Sequence, residues 1–165
     1  MADFNHLDAR GRARMVDVGE KPVTARRAVA SAFVAMAPET LARLNEGRLA
    51  KGDALLVAKL AGIQGAKRTS DLIPLCHPLP LDQVTVDLEP DPDRAGVTIR
   101  TEARTQARTG VEMEALTAAS VAGLALIDMV KSADRSAHLR SVHLELKEGG
   151  KSGRWVREAG EGEAP

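Results

Sequence analysis

The run Lys67-Arg68-Thr69-Ser70-Asp71-Leu72-Ile73-Pro74-Leu75-Cys76-His77-Pro78-Leu79 gathers two cations, a thiol and an imidazole around a proline-pinned turn. Pro74, Pro78 and Pro80 fix φ and push the residue before each into extended geometry, so Cys76 and His77 are expected in a stiff, non-helical strip. His77 has neutral and charged forms within reach of pH 7, which suits a proton shuttle; the plainer alternative is a turn histidine bonded to backbone. Cys76 beside it suggests a metal pair, but a closed site needs about four ligands, and His6, His138 and His143 show no ligand spacing. No metal site is expected, and Cys76 reads as buried and unreactive.

A second set of charged residues lies further along. Asp128 interrupts an apolar stretch, where a carboxylate is costly unless paired. Lys131, three residues on, falls on nearly the same helical face and can supply the opposite charge. This is either a structural ion pair at a helix C-terminus or part of a site. Glu112 is explained locally as the reciprocal half of a capping box with Thr109. Glu114 is either a first-turn carboxylate favoured by the helix dipole or an acceptor for a nucleobase amide edge. Lys51, just ahead of Asp53, is ordinarily a solvated lysine. Gly149-Gly150-Lys151-Ser152-Gly153 is no phosphate-binding P-loop, because the first glycine of that motif would fall on Glu145 and no helix follows. A glycine-rich strip carrying Lys147 and Lys151 can still fold over an anion, although such strips are more often simply disordered.

The elements that must position these groups follow from periodicity. Residues 1–14 read as a flexible polar arm, 15–157 as a single domain, and 158–165 as a disordered acidic tail. Met15 to Val18 and Arg26 to Met36 carry the alternation of strands, with Lys21-Pro22 turning between them. Pro38 suits a first helical turn and Gly47 a stop, giving a short helix over Glu39 to Glu46. Asp53 caps a second helix from Ala54 to Ala66, in which Leu55, Leu56, Leu60 and Ile63 recur at helical spacing. Gln83 to Glu89 and Val97 to Arg104 alternate with period two around Pro90-Asp91-Pro92-Asp93, an antiparallel pair. The capping box opens the longest helix, running to about Ser132; its apolar middle places it in a core or at a subunit interface. Ser141 to Lys147 is the closing strand. The order from Arg26 is strand, helix, strand, strand, helix, strand: an α+β, ferredoxin-like split βαβ pattern, with helices packed on one face of an antiparallel sheet.

Composition narrows the classes. Of 165 residues, 23 are basic and 23 acidic, so any anion site must be local rather than a property of the whole surface. Aromatic residues make up 2%, with no tyrosine, which argues against single-strand nucleic-acid readers built on stacking platforms. The single cysteine cannot form an intramolecular disulfide, and Met1 to Arg14 is too polar for a signal peptide, so the cytoplasm is the expected compartment. The uncharged run Ala115 to Ile127 falls short of a bilayer span, and no membrane segment is expected.

Lys51-Gly52-Asp53, Ala66-Lys67-Arg68-Thr69-Ser70, Leu72 to Leu79, Thr109-Gly110-Val111-Glu112-Met113-Glu114-Ala115-Leu116-Thr117-Ala118, Asp128-Met129 with Lys131, and Gly149 to Gly153 together closely resemble the MoaC family. The likeness runs in order from about Leu7 to Trp155 with compatible spacings. Members of that family are cyclic pyranopterin monophosphate synthases of molybdenum-cofactor biosynthesis. The resemblance implies that 3′,8-cyclo-7,8-dihydro-GTP is converted to cyclic pyranopterin monophosphate with release of pyrophosphate, in a homohexamer built as a trimer of dimers with active sites at dimer interfaces.

That reaction needs several proton transfers, for which the resemblance points to Asp128, Lys131 and His77. A lysine crowded by other cations can lose its proton, so Lys51 would serve as a further acid-base or phosphate-binding group. Lys131 and Lys147 would neutralise the departing pyrophosphate. Leu75, Cys76, His77, Met113 and Glu114 resemble the substrate-contacting segments, joined by Glu112, Lys151 and Arg26. No cofactor is required by the sequence; magnesium enters only as a companion of the triphosphate. The family pattern is broken at Ala32, where glycine is usual, Arg108, where lysine is common, Ile127, where tyrosine often precedes the aspartate, and Val130, where cysteine is frequent. Two other classes stand against the lyase: a ferredoxin-like purine-nucleotide-binding module without chemistry, and an RNA-binding sheet, which neutral charge and few aromatics weaken.

Overall fold

The computed structural model describes residues 10–158; residues 1–9 of the predicted arm and 159–165 of the predicted tail lie outside them. Five strands and four helices follow in the order β1 (Thr24–Ala35), α1 (Pro38–Asn45), α2 (Ala54–Lys67), α3 (Thr69–Leu72), β2 (Gln83–Asp91), β3 (Gly96–Ala107), α4 (Glu112–Val130), β4 (His138–Glu148) and β5 (Trp155–Val156). The strands form one sheet in the order β2-β3-β1-β4-β5, with every neighbouring pair antiparallel. Its first four positions have the ferredoxin-like connectivity expected from the element order.

β1 is central and reads accordingly. Ala28, Ala30, Ala32 and Val34 alternate onto the helix side and join the main core, while Val29 and Phe33 are buried on the opposite face. The small alanines leave room for α4, which packs against the sheet and along α2. The seam between the helices is tighter still. A Cβ at Gly62 would lie 2.9 Å from the Ala118 carbonyl oxygen, and one at Gly65 would lie 2.9 Å from the Val121 side chain. Glycine inside a helix costs about 1 kcal/mol relative to alanine; here it is the residue that lets two helices meet nearly backbone to backbone. By length and composition α4 could cross a bilayer, but it runs along the core, with Ala115, Ala118, Ala119, Ala122 and Leu126 fully buried.

Local signals explain most boundaries. Asp53 accepts a hydrogen bond from the Leu56 N–H at 2.9 Å and caps α2. Pro38 opens α1, and Gly47, at φ +64°, closes it. Asp134, buried after α4, accepts from the Ala37 N–H at 2.7 Å and from both Ser136 donors, tying the start of α1 to the end of α4; those bonds hold its carboxyl at about 2.

Three expectations are corrected. Met15 to Val18 forms no strand: it is irregular chain that lines a cavity instead of pairing with β1. The Thr109 capping box does not form; Val111 is the N-cap of α4 and no side chain caps it. The helix ends at Val130 rather than Ser132. The one-turn helix α3 and the two-residue edge strand β5 are additional elements.

Candidate active site

The proline-rich strip behaves as its sequence suggests. After α3, the Cys76 N–H bonds to the Ile73 carbonyl in a turn, and residues 76–81 then run without regular structure, anchored where Pro80 accepts from Thr105 and the Asp82 N–H reaches the Arg104 carbonyl. This brings Leu75, Cys76 and His77 against Glu112, Met113 and Glu114 at the start of α4, with Val16, Val18 and Lys21 forming a third wall. The cavity between them measures about 350 Å³. His77 makes no hydrogen bond to protein among the described residues, so the backbone-bonded alternative is not the arrangement seen.

Glu114 is 4% exposed, and burial, reinforced by the neighbouring charge of Glu112, raises its carboxyl to about 7 even though a backbone hydrogen bond opposes the shift. Cys76 is half-buried rather than buried; desolvation first, and Glu114 second, push its thiol up, so the thiol form is held. Glu112, free of the capping role, folds back over Gly110, where a Cβ would lie 1.8 Å from its carboxylate, and faces Lys147 at 3.5 Å.

Lys21, Thr109, Gly110 and Glu112 also border a second cavity, of about 850 Å³, on which Arg26, Arg108, Lys147 and Lys151 converge. Five cations and one carboxylate line this space in a chain whose charges balance as a whole. The glycine-rich strip shapes it. Gly150 lies so close to Arg26 that a Cβ would sit 1.8 Å from the guanidinium, and Arg26 in turn donates to the Ala107 carbonyl at 3.3 Å. Lys147 donates to Ser152 at 2.8 Å across the same strip.

The remaining predicted residues lie elsewhere. Lys131 contacts one Asp128 oxygen at 2.6 Å, and Lys51 reaches the other at 3.4 Å while donating to the Asp128 carbonyl at 2.7 Å. Both lysines hold the Asp128 carboxyl below the usual range, Lys131 more strongly. The expected Asp128–Lys131 pair is therefore present, but it stands in solvent at the C-terminal end of α4. At 1.5 Å per residue, it is about 24 Å along the helix from Glu112. Within one chain, His77 and its neighbours are brought together, and Lys51, Asp128 and Lys131 are brought together, but the two groups are not joined. Among the described residues, no three His, Cys, Asp or Glu side chains converge to hold a metal ion.

A model of the MoaC family matches residues 15–150. The chain belongs to the MoaC family. Relatives of nearly the same length carry the name cyclic pyranopterin monophosphate synthase. One from Dinoroseobacter shibae is 56% identical over 96% of this chain and its own whole length. Another, from Thermomicrobium roseum, is 54% identical over 96% of this chain and 95% of its own. A third, from Brucella ovis, is 57% identical over 93% of both. In this MoaC family member, the sequence reading missed Lys21 and Arg108 as cavity-lining cations and Arg135 beside Lys51 and Lys131. Lys21-Pro22 reads only as a turn, and Arg108 only as a departure from the family pattern; neither has a spacing that announces a ligand. Arg135 lies past the end of α4, where no helical spacing ties it to Lys131.

Proposed function

We propose that this MoaC family member is a cyclic pyranopterin monophosphate synthase, a phosphorus-oxygen lyase that converts 3′,8-cyclo-7,8-dihydroguanosine 5′-triphosphate to cyclic pyranopterin monophosphate and pyrophosphate. The observation that carries this reading is the continuity of two unlike cavities: a smaller one with a buried carboxyl and a larger one crowded with cations. A purine-derived head joined to a triphosphate has the same division. Beside Cys76 and Met113, Glu114 both donates and accepts near neutrality, matching the amide edge of the base. Arg26, Lys147 and Lys151 hold the triphosphate. When a substrate hydroxyl attacks the α-phosphorus, a new P–O bond forms and the bond to the β-phosphate breaks; the cations stabilise charge on the departing pyrophosphate.

Ring opening and reclosure require proton transfers that we assign to His77, Asp128, Lys131 and Lys51. Such roles need both ends of α4 at one substrate, and a second copy can supply the missing end. Two copies related by a two-fold axis perpendicular to α4 run their helices antiparallel, setting the N-terminal end of one beside the C-terminal end of the other. Leu56 and Leu60 on α2 and Leu124 on α4, each more than half exposed, offer apolar surface for such a contact. Three such dimers would form the hexamer. A substrate made from GTP places the work in the cytoplasm, with residues 15–157 as the single catalytic domain.

Incubating the purified protein with the cyclised nucleotide is expected to release stoichiometric pyrophosphate and yield a product that oxidises to a fluorescent pterin. Tight nucleotide binding with no pyrophosphate would overturn the lyase reading in favour of a binding module.

A further inference from the structure

We infer that Arg108 is a positioning residue that fastens the wall formed by residues 16–21 over the substrate cavities, an inference that rests on the proposed reaction for its kinetic consequence. The wall has no regular structure. Within it, the Lys21 N–H bonds to the Val18 carbonyl and the Gly19 N–H to the Asp17 side chain, both local contacts. Arg108, just beyond the end of β3, reaches across to donate from Nη1 to the Gly19 carbonyl at 2.7 Å.

That bond has leverage because of what flanks it. Val16 and Val18 face the smaller cavity, and Lys21 borders both. Releasing Gly19 would therefore free two apolar walls and one cation together. The guanidinium itself also borders the larger cavity. With five N–H donors in a planar fork, it can keep the carbonyl while offering others to an anion. Anion binding and wall placement thus meet in one side chain. A lysine would retain the charge and one donor towards Gly19.

The test measures backbone amide exchange of the ligand-free protein and steady-state kinetics with the cyclised nucleotide in Arg108→Met and Arg108→Lys. Loss of this charged hydrogen bond is expected to speed exchange severalfold in Arg108→Met at Gly19 and Lys21, the wall amides that hold hydrogen bonds, with β1 and β3 unchanged. KM for the nucleotide is expected to rise about tenfold while kcat stays within about threefold, and Arg108→Lys to recover most of both effects. Unchanged exchange in the wall of Arg108→Met overturns the inference. So does an equal loss of protection in β1 and β3, which would make Arg108 a general stabilising residue. Wild-type protein that releases no pyrophosphate overturns the proposed reaction alone, since exchange reads the clamp independently.

Discussion

The N-terminal end of α4 carries a carboxyl group nearly sealed from water, whereas its C-terminal end carries one standing in solvent between two ammonium groups. Glu114 is pushed up to about 7 by burial, and Asp128 is pulled below the ordinary carboxylate range by Lys131 and Lys51. One helix thus delivers an acid that can be neutral at physiological pH and another that stays ionised, and surroundings rather than residue type set the difference. The first end also lines a cavity, with three walls around His77 and Glu114, while the second stands exposed. The contrast suits a site shared between two copies, in which each chain supplies one shaped half and one exposed half.

The strongest way to break this comparison is to divide the two ends between different chains. His77→Ala and Asp128→Ala are each expected to lower kcat by about a thousandfold, the range for loss of an acid-base group. Mixed and reassembled, they should regain about a quarter of the wild-type sites, because half of random dimers are hybrid and each hybrid has one intact site. No recovery despite verified subunit exchange would place a complete site within one chain. Loss of assembly in Asp128→Ala would favour the structural ion pair.

Glu114→Gln sharpens the contrast through stability. Because the folded carboxyl binds its proton more tightly than the unfolded one, the native state holds more protons between about pH 4.5 and 7, and stability falls as pH rises through that window. The loss reaches about 3 kcal/mol above pH 7. Glu114→Gln should flatten this slope, leaving the variant more stable than wild type at pH 8 while weakening nucleotide binding. Denaturant unfolding at pH 5 and pH 8 checks it; an unaltered slope would mean that Glu114 is not the proton-binding group.

A smaller effect is expected at the cation-lined cavity. Gly150→Val must displace the Arg26 guanidinium and puts a β-branched residue at φ +71°, so pyrophosphate should bind about tenfold more weakly and thermal unfolding should fall by a few degrees, as calorimetry would report. Unaltered affinity would show that Arg26 does not hold phosphate.

How much of this was legible depended on whether a signal was local. Asp53, Pro38 and Gly47 announce helix ends because caps act within a few residues. The alternation in β1, β2 and β3 announces strands for the same reason. The family likeness groups the segments around His77 and Glu114, and both line one cavity. Glu112 was misread as a cap because Thr109 has the right spacing, while its actual contact with Lys147 joins α4 to β4, far apart in sequence. Val16 and Val18 carry strand-like residues, but β1 already has neighbours on both edges, β3 and β4, leaving no ladder for them to enter. Arg108 gains meaning only from a carbonyl contact spanning 89 residues, and Lys21 only from the cavities it borders. The separation of Asp128 from His77 along α4 follows from helix length, which was legible, but not which surface a second copy covers.

The glycine contacts at Gly62 and Gly65 make α4 act as a ruler. Pressed this closely against α2, it cannot slide or swivel to absorb a change in its own length. Inserting one residue between Glu114 and Asp128 would carry the C-terminal carboxylate about 100° around the axis and 1.5 Å along it. The spacing from Glu112 to Asp128 is therefore under a geometric constraint of its own, and natural length variation in this protein should fall in the loops and leave that interval untouched.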